Sequence, residues 1–252
     1  MERRVFTFGK RPLLVCSLSD PDVASTICTI RNAVFDGADG FLLHMEKLRE
    51  EFQNRESLQE IFRYTKDRPV LTLNYRYGNG RTDEQRAQLH LEALEAGAGC
   101  CDIMADMFGQ TEPQITYERE AVRRQEELID KIHSMGGQVL MSSHLWKFYP
   151  TDFLMETVLE MKRRGADIVK IAMRVDSQEE MITACQQTAL LKEALGIPFL
   201  MINMGEYGKA HRVIGPVFGS CMLLCVQQYT PNGHKEKPLL RACRDIYNNF
   251  DY

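Results

Sequence analysis

The chain of 252 residues is 44% hydrophobic and 26% charged, which supplies enough apolar material for one large core and excludes a disordered polymer. Thirty-one Lys and Arg against thirty-five Asp and Glu leave a net charge of −4 with no basic run, so no nucleic-acid partner is expected. No stretch approaches the roughly eighteen unbroken apolar residues of a membrane span, and Met1-Glu2-Arg3-Arg4-Val5 lacks the apolar run of a signal peptide; a cytoplasmic protein with no membrane partner is expected.

In chain order, a short β-favouring run over residues 13–18 is followed by a helical pattern over 22–38, then a strand over 40–44 and another over 70–74. A helix over 83–96 leads to a strand at 102–106, and a helix over 117–135 to a strand at 138–142. Helices over 150–164 and 177–195 flank a strand at 167–172, and strands at 199–203 and 217–224 complete the set. Gly97, Gly136, Gly165 and Gly196 each fall just before a strand, where a left-handed glycine ends a helix. Eight strands separated by helix-like segments predict a single α/β domain, a (β/α)8 TIM barrel whose units cover about residues 13–245. With no Pro/Ser-rich linker, residues 1–252 are assigned to that one domain.

In such a barrel, chemistry sits at the C-terminal ends of the strands. Lys170 interrupts an apolar strand and shares a face with Ile168 and Ala172. If that face points inward, desolvation favours the neutral amine, a nucleophile toward a ketone; the commoner alternative is a lysine paired with a carboxylate. His144 follows the 138–142 strand, one unit before Lys170, and an imidazole there suits proton transfer, although a strand-end histidine is more often structural. Arg212 follows a glycine-bearing polar loop over 205–211 that reads as a lid, and its guanidinium suits a substrate carboxylate, although a surface role is commoner for any single arginine. Eight cysteines without paired spacing read as reduced core fillers; His44, His133 and His211 show no zinc-like spacing, and neither metal nor cofactor is expected.

Taken together, Ser142-Ser143-His144, Val169-Lys170-Ile171-Ala172 and Arg212-x-x-Gly215-x-Val217-Phe218-Gly219-Ser220 resemble the type I 3-dehydroquinate dehydratases, as does the opening Val15-Cys16-Ser17-Leu18. The resemblance implies an imine between Lys170 and the ketone of 3-dehydroquinate, His144 as general acid and base, Arg212 as carboxylate clamp and Ser17 beside the substrate. The partner is then a small keto acid, and the family implies a homodimer, for which Phe148, Phe153, Leu154 and Met155 could supply apolar surface, although the same residues serve equally well as packing against the barrel.

Three departures bear on substrate. The family's Glu-x-Arg pair after the second strand aligns with Leu43 and Met45, which predicts loss of a polar pair. The arginine and glutamate after the third strand align with Tyr75 and Asn79, with Arg76 substituting only if the register slips by one. The last loop reads Pro231-Asn232-Gly233-His234 where the family has a glutamine. The substrate-binding candidates are therefore Arg212, Ser17, Arg76 and Asn79, with His44 and His234 as further polar partners. The expected activity is 3-dehydroquinate dehydration at poor efficiency; the alternatives are imine chemistry on a less hydroxylated keto acid, or a silent ligand-binding barrel.

Overall fold

The computed structural model describes residues 4–78, 80–230 and 235–250. Eight parallel strands alternate with helices in the order β1 (Leu13–Leu18), α1 (Val23–Phe35), β2 (Gly40–His44), α2 (Arg55–Phe62), β3 (Val70–Leu73), α3 (Asp83–Ala96), β4 (Cys100–Met104), α4 (Arg119–Ser134), β5 (Gln138–Leu145), α5 (Thr151–Arg163), β6 (Ile168–Arg174), α6 (Gln178–Ala194), β7 (Phe199–Met204), α7 (Gly208–Ile214), β8 (Met222–Cys225) and α8 (Leu240–Tyr247). The sheet order is β7-β6-β5-β4-β3-β2-β1-β8. The seam closes where Cys221 N–H donates to the Phe199 carbonyl at 2.8 Å and Met201 N–H to Ser220 Oγ at 3.1 Å. This is the (β/α)8 barrel that the spacing predicts.

Two apolar layers follow from strand alternation. Val15, Leu42, Leu71, Leu73, Leu140, Ile168, Ala172, Leu200 and Leu224 fill the interior, while the opposite parity, including Leu14, Cys16, Leu43, Ile103, Met141 and Ile171, packs under the helices. Phe6 plugs the lower end of the interior, its backbone bonded both ways to the Gln138 side chain. Gly99 makes room for this: a Cβ there would lie 1.9 Å from the Arg4 carbonyl oxygen.

Several boundaries differ from the sequence pattern. The fourth strand starts at Cys100 and ends at Met104, so Asp102 lies inside it and Asp106 beyond it. β5 runs on to Leu145, which places His144 within the strand. Residues 215–218 form a 3-10 turn and α7 begins at Gly208, so the segment read as an open lid loop is largely helical; its short apolar stretch packs against β7. Leu154 is fully buried, and Phe148, Phe153 and Met155 pack half-buried against the core, so these four serve the barrel's own helix layer.

Candidate active site

The inward parity of β6 carries Ile168, Lys170 and Ala172, with Ser142 of β5 level with Lys170 and His144 level with Ala172. Lys170 Nζ lies 2.8 Å from Asp102 Oδ2, and Ser142 Oγ donates to Asp102 Oδ1 at 2.5 Å. All three side chains are buried. Of the two readings of Lys170, the pairing with a carboxylate is the one present: Asp102 is both its counter-charge and the nearest acceptor for its proton. Nothing in the local sequence marks Asp102, because its partner is 68 positions away.

His144 is held by Gln114, from the loop after β4. Gln114 Oε1 accepts from the His144 backbone N–H at 3.1 Å and lies 3.0 Å from Nδ1. An amide oxygen only accepts, so Nδ1 carries the hydrogen and Nε2 keeps its lone pair. Burial, reinforced by the positive charges of Lys170, Arg212, His44 and Arg76, holds this imidazole well below its ordinary pKa. Gln114 Nε2 donates in turn to the Tyr75 hydroxyl at 2.7 Å, and the Tyr75 ring lies 4.5 Å from the His144 ring. The loop that presents Gln114 is tied down by Arg164, which donates to the Ala105 and Thr116 carbonyls at 3.1 and 2.6 Å and to Gln125 Oε1 at 2.9 Å.

These groups open into a cavity of about 560 Å³ at the C-terminal end of the barrel. Arg212 lines it from α7, donating through Nε to the Asn203 carbonyl at 2.9 Å while the buried Nη1 has no partner among the described residues. Burial lowers this guanidinium to about 10. Leu42, Leu73, Ile202, Met204 and Leu224 form apolar walls, and Tyr77 and Trp146 stand exposed at the rim.

The second-strand expectation is overturned. Leu43 and Met45 are fully buried toward the helices, while the inward parity passes through Leu42 to His44 and then Glu46. The polar pair is therefore present as His44-x-Glu46, displaced one residue from the alignment. His44 Nδ1 donates to Glu46 Oε1 at 3.0 Å, and Lys237 Nζ lies 3.0 Å from His44 Nε2. Burial pushes Glu46 up, but its bonds to His44 and the Tyr75 N–H outweigh it and hold the carboxyl below its ordinary value. Lys237, from the segment before α8, was not foreseen; it lies in a polar run with no strand or helix periodicity.

The remaining candidates fall elsewhere. Tyr75 takes the inward position that continues Leu71 and Leu73, so the one-residue slip that would bring in Arg76 does not occur. Arg76 is bidentate on Asp106, at 2.7 and 3.0 Å, and does not line the cavity. Ser17 faces a smaller adjoining cavity that meets the main one at Lys237, and its Oγ is buried without a partner among the described residues. Asn79 and His234 lie outside the described residues. Among the described residues, no cluster of three His, Cys, Asp or Glu is arranged to hold a metal ion.

A closed parallel barrel with an acid-paired lysine inside and an imidazole on the adjacent strand defines the class: a βα-barrel of the kind that binds a small molecule at its strand ends. Residues 15–228 match the family model of type I 3-dehydroquinase, and the chain belongs to that family, whose dehydratases are hydro-lyases. It is 30% identical over 210 residues to the 3-dehydroquinate dehydratase of Klebsiella pneumoniae subsp. pneumoniae, spanning 81% of this chain and 79% of that one. It is 38% identical over 97 residues to that of Alkaliphilus oremlandii, 38% of each chain. Among solved structures, 3-dehydroquinate dehydratase from Geobacillus kaustophilus superposes with a TM-score of 0.83 at 16% identity, covering 98% of this chain and 95% of that one. The type I enzyme from Clostridium difficile gives 0.82 at 16% identity over 98% and 96%. The barrel is thus shared where most side chains are not.

Proposed function

We propose that this protein dehydrates 3-dehydroquinate to 3-dehydroshikimate and water through an imine on Lys170. The observation that carries the reading is the pairing of Lys170 with Asp102 in a cavity that His144 and Arg212 also line. Lys170 passes a proton to Asp102, and its lone pair adds to the substrate ketone; loss of water, with protons returned from the site, leaves a protonated imine. His144 Nε2 then takes a proton from the carbon next to the imine, and the electron pair moves into an enamine. Collapse of the enamine expels the β-hydroxyl, which takes the proton from His144 and leaves as water. Addition of water to the conjugated imine frees the enone and Lys170, so the net change is loss of one water. Arg212 holds the carboxylate, with Nη1, which has no partner among the described residues, available to it.

His44, Glu46 and Lys237 support a hydroxylated substrate, because they line the part of the cavity for which an apolar lining is expected from the sequence. The second reading, a less hydroxylated keto acid, is favoured by Tyr75 and the five aliphatic side chains of the walls. Enone absorbance with 3-dehydroquinate separates them: kcat/KM within about 10⁴ to 10⁸ M⁻¹s⁻¹ supports the first. Undetectable turnover alongside a borohydride-trapped imine from another keto acid supports the second. Mass spectrometry must locate the adduct on Lys170; an adduct on Lys147 or Lys209, or one undiminished in Lys170→Ala, overturns the mechanism. We also propose a homodimer in the cytoplasm, in keeping with eight free cysteines, testable by sedimentation of the native protein.

A further inference from the structure

Of the three buried cations that line the cavity, Lys170 is paired with Asp102, while Arg212 and Lys237 are not bonded to a carboxylate among the described residues. Arg212 spends Nε on a backbone carbonyl, and its Nη1 has no partner among the described residues. Lys237 is 6% exposed, and its bond is to the imidazole of His44, which is fixed from behind by Glu46. With Nδ1 committed to Glu46, the facing pair of His44 Nε2 and Lys237 Nζ shares one proton: ammonium beside neutral imidazole, or amine beside imidazolium. Such an arrangement places a second cation at the wall of the cavity, with Glu46 behind His44 and Glu236 as the carboxylates that share the lining.

We propose that Lys237 is the second cation of the carboxylate subsite, presented by His44 and Glu46, and that it takes up a proton as the anion binds beside Arg212. This rests on the assignment of Arg212 as the carboxylate clamp. Before binding, burial and the positive charges of Arg212 and Lys170 hold Lys237 down at about 7, against the pull of Glu46. An anion reverses the balance by adding negative charge on the side where Arg212 and Lys170 repel.

The groups around Lys237 come from every neighbouring element: Cys16 of β1, His44 and Glu46 at the end of β2, Lys170 of β6, Arg212 of α7, Glu236 beside it in the chain, and Asp20 and Tyr229 across the adjoining cavity. Burial pushes Cys16 up to about 12 and Arg212 down only to about 10, and His144 stays well below its ordinary value. The Lys237–His44 pair is then the group that titrates near neutrality in response to the anion. Binding is strongest with the pair protonated, so affinity is full below pH ~7 and falls by about tenfold per unit above it, until the bound-state value is reached.

The test uses the whole protein and sodium 3-dehydroshikimate as the probe, titrated calorimetrically at pH 8 in HEPES and in triethanolamine, whose different ionisation enthalpies report protons taken up. Wild type is expected to take up most of one proton. Lys237→Arg keeps the cation without the titration, so it should bind with affinity that is flat from pH 6.5 to about 8.5 and no uptake near neutrality. Lys237→Met should lose both uptake and at least about tenfold in affinity at pH 6.5, with circular dichroism verifying the fold. Unchanged affinity in Lys237→Met, or uptake that persists in it, overturns the proposal. If instead Arg212→Met binds as wild type while Lys237→Met does not, the clamp assignment fails and Lys237 is the carboxylate's cation alone.

Discussion

Exchanging Asp102 for Asn removes the carboxylate bonded to Lys170 and changes little else in shape. The two groups are 2.8 Å apart, with side-chain exposures of 4% for Lys170 and 0% for Asp102. At an effective dielectric of about 20, Coulomb attraction over that distance is about 6 kcal/mol, and breaking one side of a buried pair costs roughly 3–5 kcal/mol in practice. An unfolding entropy of about 2.1 cal/mol/K per residue over 252 residues gives about 0.5 kcal/mol/K, so the midpoint should fall by about 6–10 °C at pH 7. The deficit should also shrink as pH rises. A buried lysine without its anion sheds its proton, the variant's folded state binds fewer protons than its unfolded chain, and stability then increases with pH up to the ordinary lysine range. Thermal unfolding by circular dichroism at pH 7 and 9 measures both. The same variant should yield at least tenfold less borohydride-trapped imine, because the protonated imine inherits the loss of counter-charge. A deficit under 1 kcal/mol, or one independent of pH, would show that the ammonium does not depend on Asp102 and refute the ion-pair account.

His144→Ala should still trap an imine on Lys170 while elimination slows by roughly 10²- to 10⁴-fold; equal turnover, with chemistry shown to limit the rate, removes His144 from the mechanism. Gln114→Glu puts a carboxylate 3.0 Å from Nδ1 in place of a neutral amide, so the acid limb of the kcat profile should move to higher pH by about one unit or more, with Tyr75 turning its hydroxyl to donate. An unmoved limb would mean that His144 does not titrate in catalysis. His90 and His211 are buried as neutral rings, each pushed down to about 4 first of all by desolvation, whereas the unfolded chain takes up protons below about 6.5. Stability should therefore be complete above pH ~6.5 and fall toward pH 4, by about 3 kcal/mol for each ring. Urea unfolding at pH 7 and 4.5 reads the slope, and a His90→Gln variant that leaves it unchanged would count against this origin.

The sequence by itself determined the barrel and the inward face of Lys170. Short continuous apolar runs separated by helical segments bury both faces in a parallel sheet covered by helices, and a lysine in register with Ile168 and Ala172 follows them inward. It also carried His144 and Arg212, through spacing and family resemblance. The tertiary structure decided everything that depends on residues distant in the chain or on a parity that an alignment cannot fix. One position of register turned Leu43 and Met45 toward the helices and His44 and Glu46 toward the cavity, since successive side chains of a strand face opposite ways. Asp102 became the partner of Lys170, Gln114 of His144 and Lys237 of His44 only when loops and strands separated by 68, 30 and 193 positions were brought within hydrogen-bond reach. Arg76, attractive as a bare cation in the sequence, was taken up by Asp106, because a buried guanidinium needs a carboxylate and that one lies 30 positions along the chain.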